Sequence, residues 1–200
     1  MLKTLRSASA GTQEYKSLSY RLKNVIDGKS TTSVMRMDQT GNCSGEISSS
    51  DGRIGIIKSG ERLFMRFDDA YWESQGDDGG AARALVKERW IEASASDSDF
   101  EGLTEACDLD NLLPSVTDDS FGDVTGSPSS FDGVASTLIT DNESGERTDI
   151  YVAADGEPRI LKVQTIGGTD PSTITFFDFD EPISVRVPSS SETVPFEDIS

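Results

Sequence analysis

The chain has 200 residues and a formal charge of −18, from 36 acidic against 18 basic side chains. That length suits one domain with a real core, and so negative a surface repels a phosphate backbone, which argues against nucleic-acid binding. Histidine is absent, which removes every imidazole-based triad, proton shuttle and zinc site.

The charge is uneven. Residues 1–37 hold seven bases against Glu14 and Asp27, a local balance of +5, so the rest of the chain is more acidic still. A basic start suits contact with anionic lipid headgroups, and the acidic remainder reads as a solvated surface. No apolar run reaches the roughly 18 residues of a membrane span. Met1–Arg6 runs straight into polar sequence without an apolar signal-peptide core, which reads as a cytosolic protein or a mature region with an added start.

Residues 2–10 give an apolar pair three apart, as in a short helix. From Tyr15 to Ile26 the pattern switches to alternation. Leu18, Tyr20, Leu22 and Ile26 share one face, and Ser17, Ser19, Arg21 and Lys23 the other, the signature of a half-buried strand. Further strands are expected at Thr32–Gln39, Cys43–Ser49, Arg53–Lys58 and Arg62–Phe67. Asp27-Gly28, Gly41-Asn42, Asp51-Gly52 and Gly60-Glu61 supply hairpin turns between them.

The period lengthens from Asp68 to Val116. Asp68–Trp72 has the acidic first turn of a helix, and Gly79–Glu88 is rich in helix formers. Arg89–Ala93 reads as a short strand or an extended link, and Asp97–Asp108 and Leu109–Val116 read as two short helices. Strands return at Gly122–Phe131, Val134–Thr140, Thr148–Ala153, Ile160–Ile166, Thr173–Phe179 and Ile183–Val187. The stretch after Pro188 is polar enough to be a flexible tail over residues 188–200. The whole is expected to be α+β: residues 1–187 form one domain, a curved antiparallel half-barrel of about ten strands covered on its concave side by short helices.

Asp97–Gly102 resembles the opening of a calcium loop, but the match decays at Thr104 and Asp108. Ser98 and Glu101 have the spacing of a helix capping box, which fits better. No metal, cofactor or catalytic constellation is indicated. Cys43 and Cys107 are too few for a thiolate cage; composition leaves a single disulfide or two free thiols. Met35, Met37 and Met65 stand on strands of one meander, and methionine is an adaptable filler that serves either an ordinary core or a cavity accepting varied apolar ligands. With Leu22 they are the candidate ligand-lining residues.

Several segments resemble actinobacterial cell-envelope lipoproteins with the LolA/LprG-like fold. They include Gly41–Gly45, Tyr71-Trp72, Lys87–Ile91, Phe100–Leu109, Tyr151–Ala153, Gly156–Pro158 and Phe177–Pro182, in that order along the chain. The resemblance implies a half-barrel closing over helices and an extracytoplasmic location. It also implies a lipid anchor upstream of Leu2, a Cys43–Cys107 disulfide, and a lipid or other hydrophobic molecule held between sheet and helices without catalysis. A protein-interaction or sensor module with a filled core is the rival.

Overall fold

The computed structural model describes residues 1–26, 28–113, 116, 124–143 and 145–199. Its centre is the alternating strand β1 (Ser17–Ile26), which pairs with β2 (Lys29–Asp38) on one side. The meander continues through β3 (Cys43–Ser49), β4 (Gly52–Ser59) and β5 (Arg62–Phe67). Helices α1 (Leu2–Gln13), α2 (Asp69–Ser74), α3 (Gly76–Val86), α4 (Glu101–Glu105) and α5 (Leu109–Leu112) make the second layer, with β6 (Trp90–Ser94) between α3 and α4. Strands β7 (Thr125–Phe131), β8 (Val134–Glu143), β9 (Glu146–Ala153), β10 (Ile160–Gly167), β11 (Ser172–Phe177) and β12 (Thr193–Pro195) follow.

The twelve strands among the described residues join one open sheet in the order β12-β6-β5-β4-β3-β2-β1-β11-β10-β9-β8-β7. Only β12 runs parallel to its neighbour. The α+β half-barrel expected from the sequence is therefore found, with twelve strands where about ten were expected.

Register shows why the inner face is dry. Tyr20, Met35, Gly45, Ile56, Met65 and Ile91 stand side by side across β1 to β6. Apart from Gly45, none of them is more than 3% exposed. A second row runs from Ile139 and Ile150 through Val163, Ile174 and Leu22 to Ile47, Ile54 and Phe67. Each large apolar side chain withdrawn in this way contributes roughly 1.5–3 kcal/mol.

The helices complete the core. Leu5 and Ala8 of α1 and Trp72 and Val86 of α2 and α3 pack into the same cluster as these rows. Helix α1 lies against β9 and β10. Buried Thr12 donates to the Ala8 carbonyl at 2.7 Å and accepts the Ile160 amide at 2.9 Å. The approach is close enough that a Cβ at Gly11 would meet the Pro158 carbonyl oxygen.

Two sequence expectations fail on the outer face. Ser17 and Ser19 are buried rather than wet, because the chain after β11 returns across them. The Lys16 amide donates to Asp180 Oδ1 at 2.8 Å, the Ser17 hydroxyl to the Glu181 carbonyl at 2.7 Å and the Ser19 hydroxyl to Asp178 Oδ2 at 3.1 Å. Ile183–Val187 forms no strand. Its alternation is real, with Ile183, Val185 and Val187 half-buried between exposed Ser184 and Arg186, but it marks an extended strap without a ladder.

The segment expected as a tail also packs. Thr193–Pro195 adds β12 to the edge of β6, with Thr193 and Val194 buried. Polarity misled the reading because Ser189 and Glu192 form a closed turn: the Glu192 carboxylate accepts the Ser189 amide and hydroxyl and the Arg186 guanidinium. These bonds, the Ser189 amide first, lower the Glu192 carboxyl to about 2. Its contribution to the turn is present above the ordinary carboxylate value and is lost as pH falls through about 2. Exchange protection at Thr193 and Val194, taken relative to the intrinsic amide rate at each pH, should fall over that acid range, and Glu192→Gln should lower it already at pH 7. Equal exchange in both proteins would remove this turn as the clasp.

Gly45 tests the sheet itself. A Cβ there would lie 2.1 Å from the Val34 carbonyl oxygen and 2.8 Å from the Met35 Cα. Gly45→Ala therefore forces strand displacement and should cost about 1–3 kcal/mol in urea unfolding. An unchanged midpoint would contradict the register.

Candidate functional site

Where β1 begins and β2 and β4 end, sheet and helices part. The space between them is a pocket of about 860 Å³, within the range of small-molecule sites. Leu18 and Met37 line it from the sheet, Leu109 and the Cys107 backbone region from the helical layer, and Gln13 and Tyr15 from the end of α1. Its lining is also acidic: Asp38, Glu101, Glu105, Asp108 and Asp110 stand against a single ammonium, that of Lys58.

The helical wall is fixed by three links, two to the sheet and one to α1. Cys43, fully buried at the start of β3, forms a disulfide with Cys107, with Cα atoms 5.5 Å apart. One residue earlier, the Ala106 carbonyl accepts the Tyr20 hydroxyl at 2.7 Å. Burial pushes the Tyr20 phenol well above its ordinary value, so it remains a donor. The Gln13 amide donates to Asp110, joining α1 to α5.

The sheet wall is held by Asp38. One carboxylate oxygen accepts the Thr40 amide at 2.9 Å, the Thr40 hydroxyl at 2.7 Å and the Asn42 amide at 3.0 Å; the other accepts the Asn42 side chain. Burial works against the charge, but the Asn42 and Thr40 bonds outweigh it and hold the carboxyl below its usual range. Lys58 reaches the Gly41 carbonyl at 3.1 Å rather than the acids of the opposite wall.

Of the four residues nominated as ligand-lining, Met37 borders this pocket and Leu22, Met35 and Met65 do not. All four point to the inner face, but Met35 and Met65 are fully covered by the packed core. Sequence reading missed Tyr20 as a tie between layers, although its place on the buried face of β1 was visible. The capping box also needs correcting. Asp97, not Ser98, caps the turn Ser98–Phe100, accepting the Asp99 amide at 3.0 Å. Among the described residues no three potential metal ligands converge, and no helix is long and apolar enough to cross a membrane.

An open, mainly antiparallel sheet with short helices packed against it is a fold already seen in solved structures. Solved structures similar to this one are the lipoprotein LppX of Mycobacterium tuberculosis and LprF of Mycobacterium bovis. LppX matches with a TM-score of 0.61 and 13% identity over 92% of this chain and 97% of that one. LprF matches with a TM-score of 0.62 and 8% identity over 94% and 97%. At such identities the likeness is one of fold, and it agrees with the LolA/LprG-like architecture expected from the sequence. No protein-family model matches the chain, and no curated protein is similar to it in sequence.

The disulfide closes a loop with a sequence separation of 64 residues, for which chain entropy gives roughly 4 kcal/mol. Cys43→Ser/Cys107→Ser should lower unfolding stability by about that amount, and the unreduced, unfolded protein should show no titratable thiol. Two titratable thiols after production in an oxidising compartment would contradict the bond.

Proposed function

We propose that the protein is a non-enzymatic cell-envelope lipoprotein, tethered to the membrane, that holds an amphiphilic lipid between sheet and helices. The observation that carries this reading is the 860 Å³ pocket between the two layers, which sets Leu18, Met37 and Leu109 beside polar and acidic side chains in one lining. The disulfide supports an oxidising, extracytoplasmic location.

The lining also selects. Five carboxylates against one ammonium repel an anionic headgroup and accept hydroxyl-rich or cationic ones. The ligand is therefore an amphiphile with an uncharged or cationic polar end. Its acyl part starts on Leu18 and Met37; reaching Met35, Met65 and Leu22 further along the same face requires displacement of side chains now packed on them. The filled centre is what an interaction or sensor module would show, and that second reading rests on the complete burial of Met35 and Met65.

A fluorescent monoacylglycerol probe should bind, and its phosphate-headed analogue should bind at least about tenfold more weakly at low salt. Met37→Trp should weaken uptake of the uncharged probe by filling the wall while leaving the fold intact. If neither probe binds the native protein, the ligand-holding reading fails and the interaction module replaces it.

A further inference from the structure

The outer face of the sheet carries a row of charge opposite in sign to the molecule as a whole. Register places Lys162, Arg21 and Arg66 on one row across the strands, through Thr175, Val34, Glu46 and Gly55. Lys23 stands two residues along β1 on the same face. Arg21, Lys23 and Arg66 are exposed and Lys162 is half-buried. Among the described residues none of these four is in an ion pair. Six strand spacings separate Lys162 from Arg66, roughly 29 Å along the sheet.

The neighbouring charges on this face are largely neutralised. Arg53, Arg62 and Arg147 pair with Asp68, Glu92 and Asp149, and Glu46 lies 4.0 Å from Arg53. The helical layer is the reverse. Residues 69–89 and 97–112 carry eleven carboxylates against Arg83, Lys87 and Arg89. A molecule with a net charge of −18 thus has a row on one face whose unpaired charges are cationic, while the exposed carboxylates of that face, Asp178, Asp180 and Glu181, stand where the strap crosses its other end.

Aromatic rings accompany those cations. The Arg66 guanidinium lies 4.9 Å from the centre of the Trp90 ring, Arg21 lies 5.7 Å from Phe177, and the Lys162 ammonium lies 5.4 Å from Tyr151. Trp90, Phe177 and Tyr151 are each half-buried. Trp90 and Tyr151, rings with an apolar body and a polar edge, beside cations on long apolar stems, are what settles at lipid headgroup level. The strap crosses the other end of this face, over Ser17 and Ser19, and leaves the row uncovered.

We propose that the outer sheet face lies against a bilayer surface rich in anionic lipid, with the acidic helical layer turned away from it. Cations spread along a row, rather than gathered in a cleft, suit a laterally averaged lipid surface more than a single acidic peptide. The field of the whole molecule selects this orientation, because any other face brings carboxylates towards the negative surface. This docking is independent of what the pocket holds.

Co-sedimentation with phosphatidylcholine vesicles containing about one-third phosphatidylglycerol tests it, at an ionic strength where the Debye length is about 30 Å. The protein should partition onto these vesicles and not onto phosphatidylcholine alone. Arg21→Glu/Lys162→Glu should weaken partitioning at least tenfold. Lys3→Glu/Arg83→Glu, which changes the net charge equally on the helical side, should weaken it far less. In the unmodified protein, lipids brominated near the headgroup should quench Trp90, with buried Trp72 as an unquenched internal reference. Failure of the protein to partition, equal loss in the two double variants, absence of Trp90 quenching, or binding to polyglutamate but not to vesicles would each overturn the proposal.

Discussion

The attachment of two very short helices to the sheet is the constraint on which the rest of this molecule depends. Helices α4 and α5 have five and four residues, far below the length at which a helix holds itself in water. They exist because Cys107 is bonded to Cys43, the Ala106 carbonyl takes the buried Tyr20 hydroxyl, and Asp110 takes the Gln13 amide. Each link reaches a different element of the sheet layer or α1, so the helical wall cannot slide along the strand ends. The pocket is the gap that this fixed spacing leaves.

Charge is distributed by the same two-layer division. Alternation along β1 and β5 sends Tyr20 and Met65 inward and Arg21 and Arg66 outward, so one strand serves the core and the basic face together. The helical layer supplies four of the five acids of the pocket, and Asp38 at the end of β2 supplies the fifth. A sheet with this register therefore has an apolar interior, a cationic row on its outer face and an anionic pocket without any further device. The strap adds cover for the outer face where Ser17 and Ser19 lie, and its end adds a strand at the β6 edge.

Much of this was legible in the residues. Period-two runs bounded by Asp-Gly and Gly-Asn turns located ten of the twelve strands within a few residues, because each such run has one side that must be covered. Asp68 was readable as a helix start, and it caps α2 by accepting the Tyr71 amide at 2.9 Å. Strand order was not readable. Nothing local in Ser172–Phe177 says that it inserts beside β1, since that pairing connects residues far apart in sequence. Ile183–Val187 has a strand's alternation without a strand's partner, and Thr193–Pro195 is too short to announce itself. At the site, the sequence offered Met37 but not Asp38, whose role comes from the turn it organises, nor the acidic lining, which forms only when α4 and α5 are brought over the strand ends.

The claim that the gap between the layers exists to hold a lipid is most directly tested by native mass spectrometry of protein taken, without denaturation or delipidation, from the membranes of a cell that exports it. A population carrying the added mass of an uncharged or cationic amphiphile, released on unfolding, is the expected result. The mass of the covalent protein alone, in every charge state, would contradict the claim.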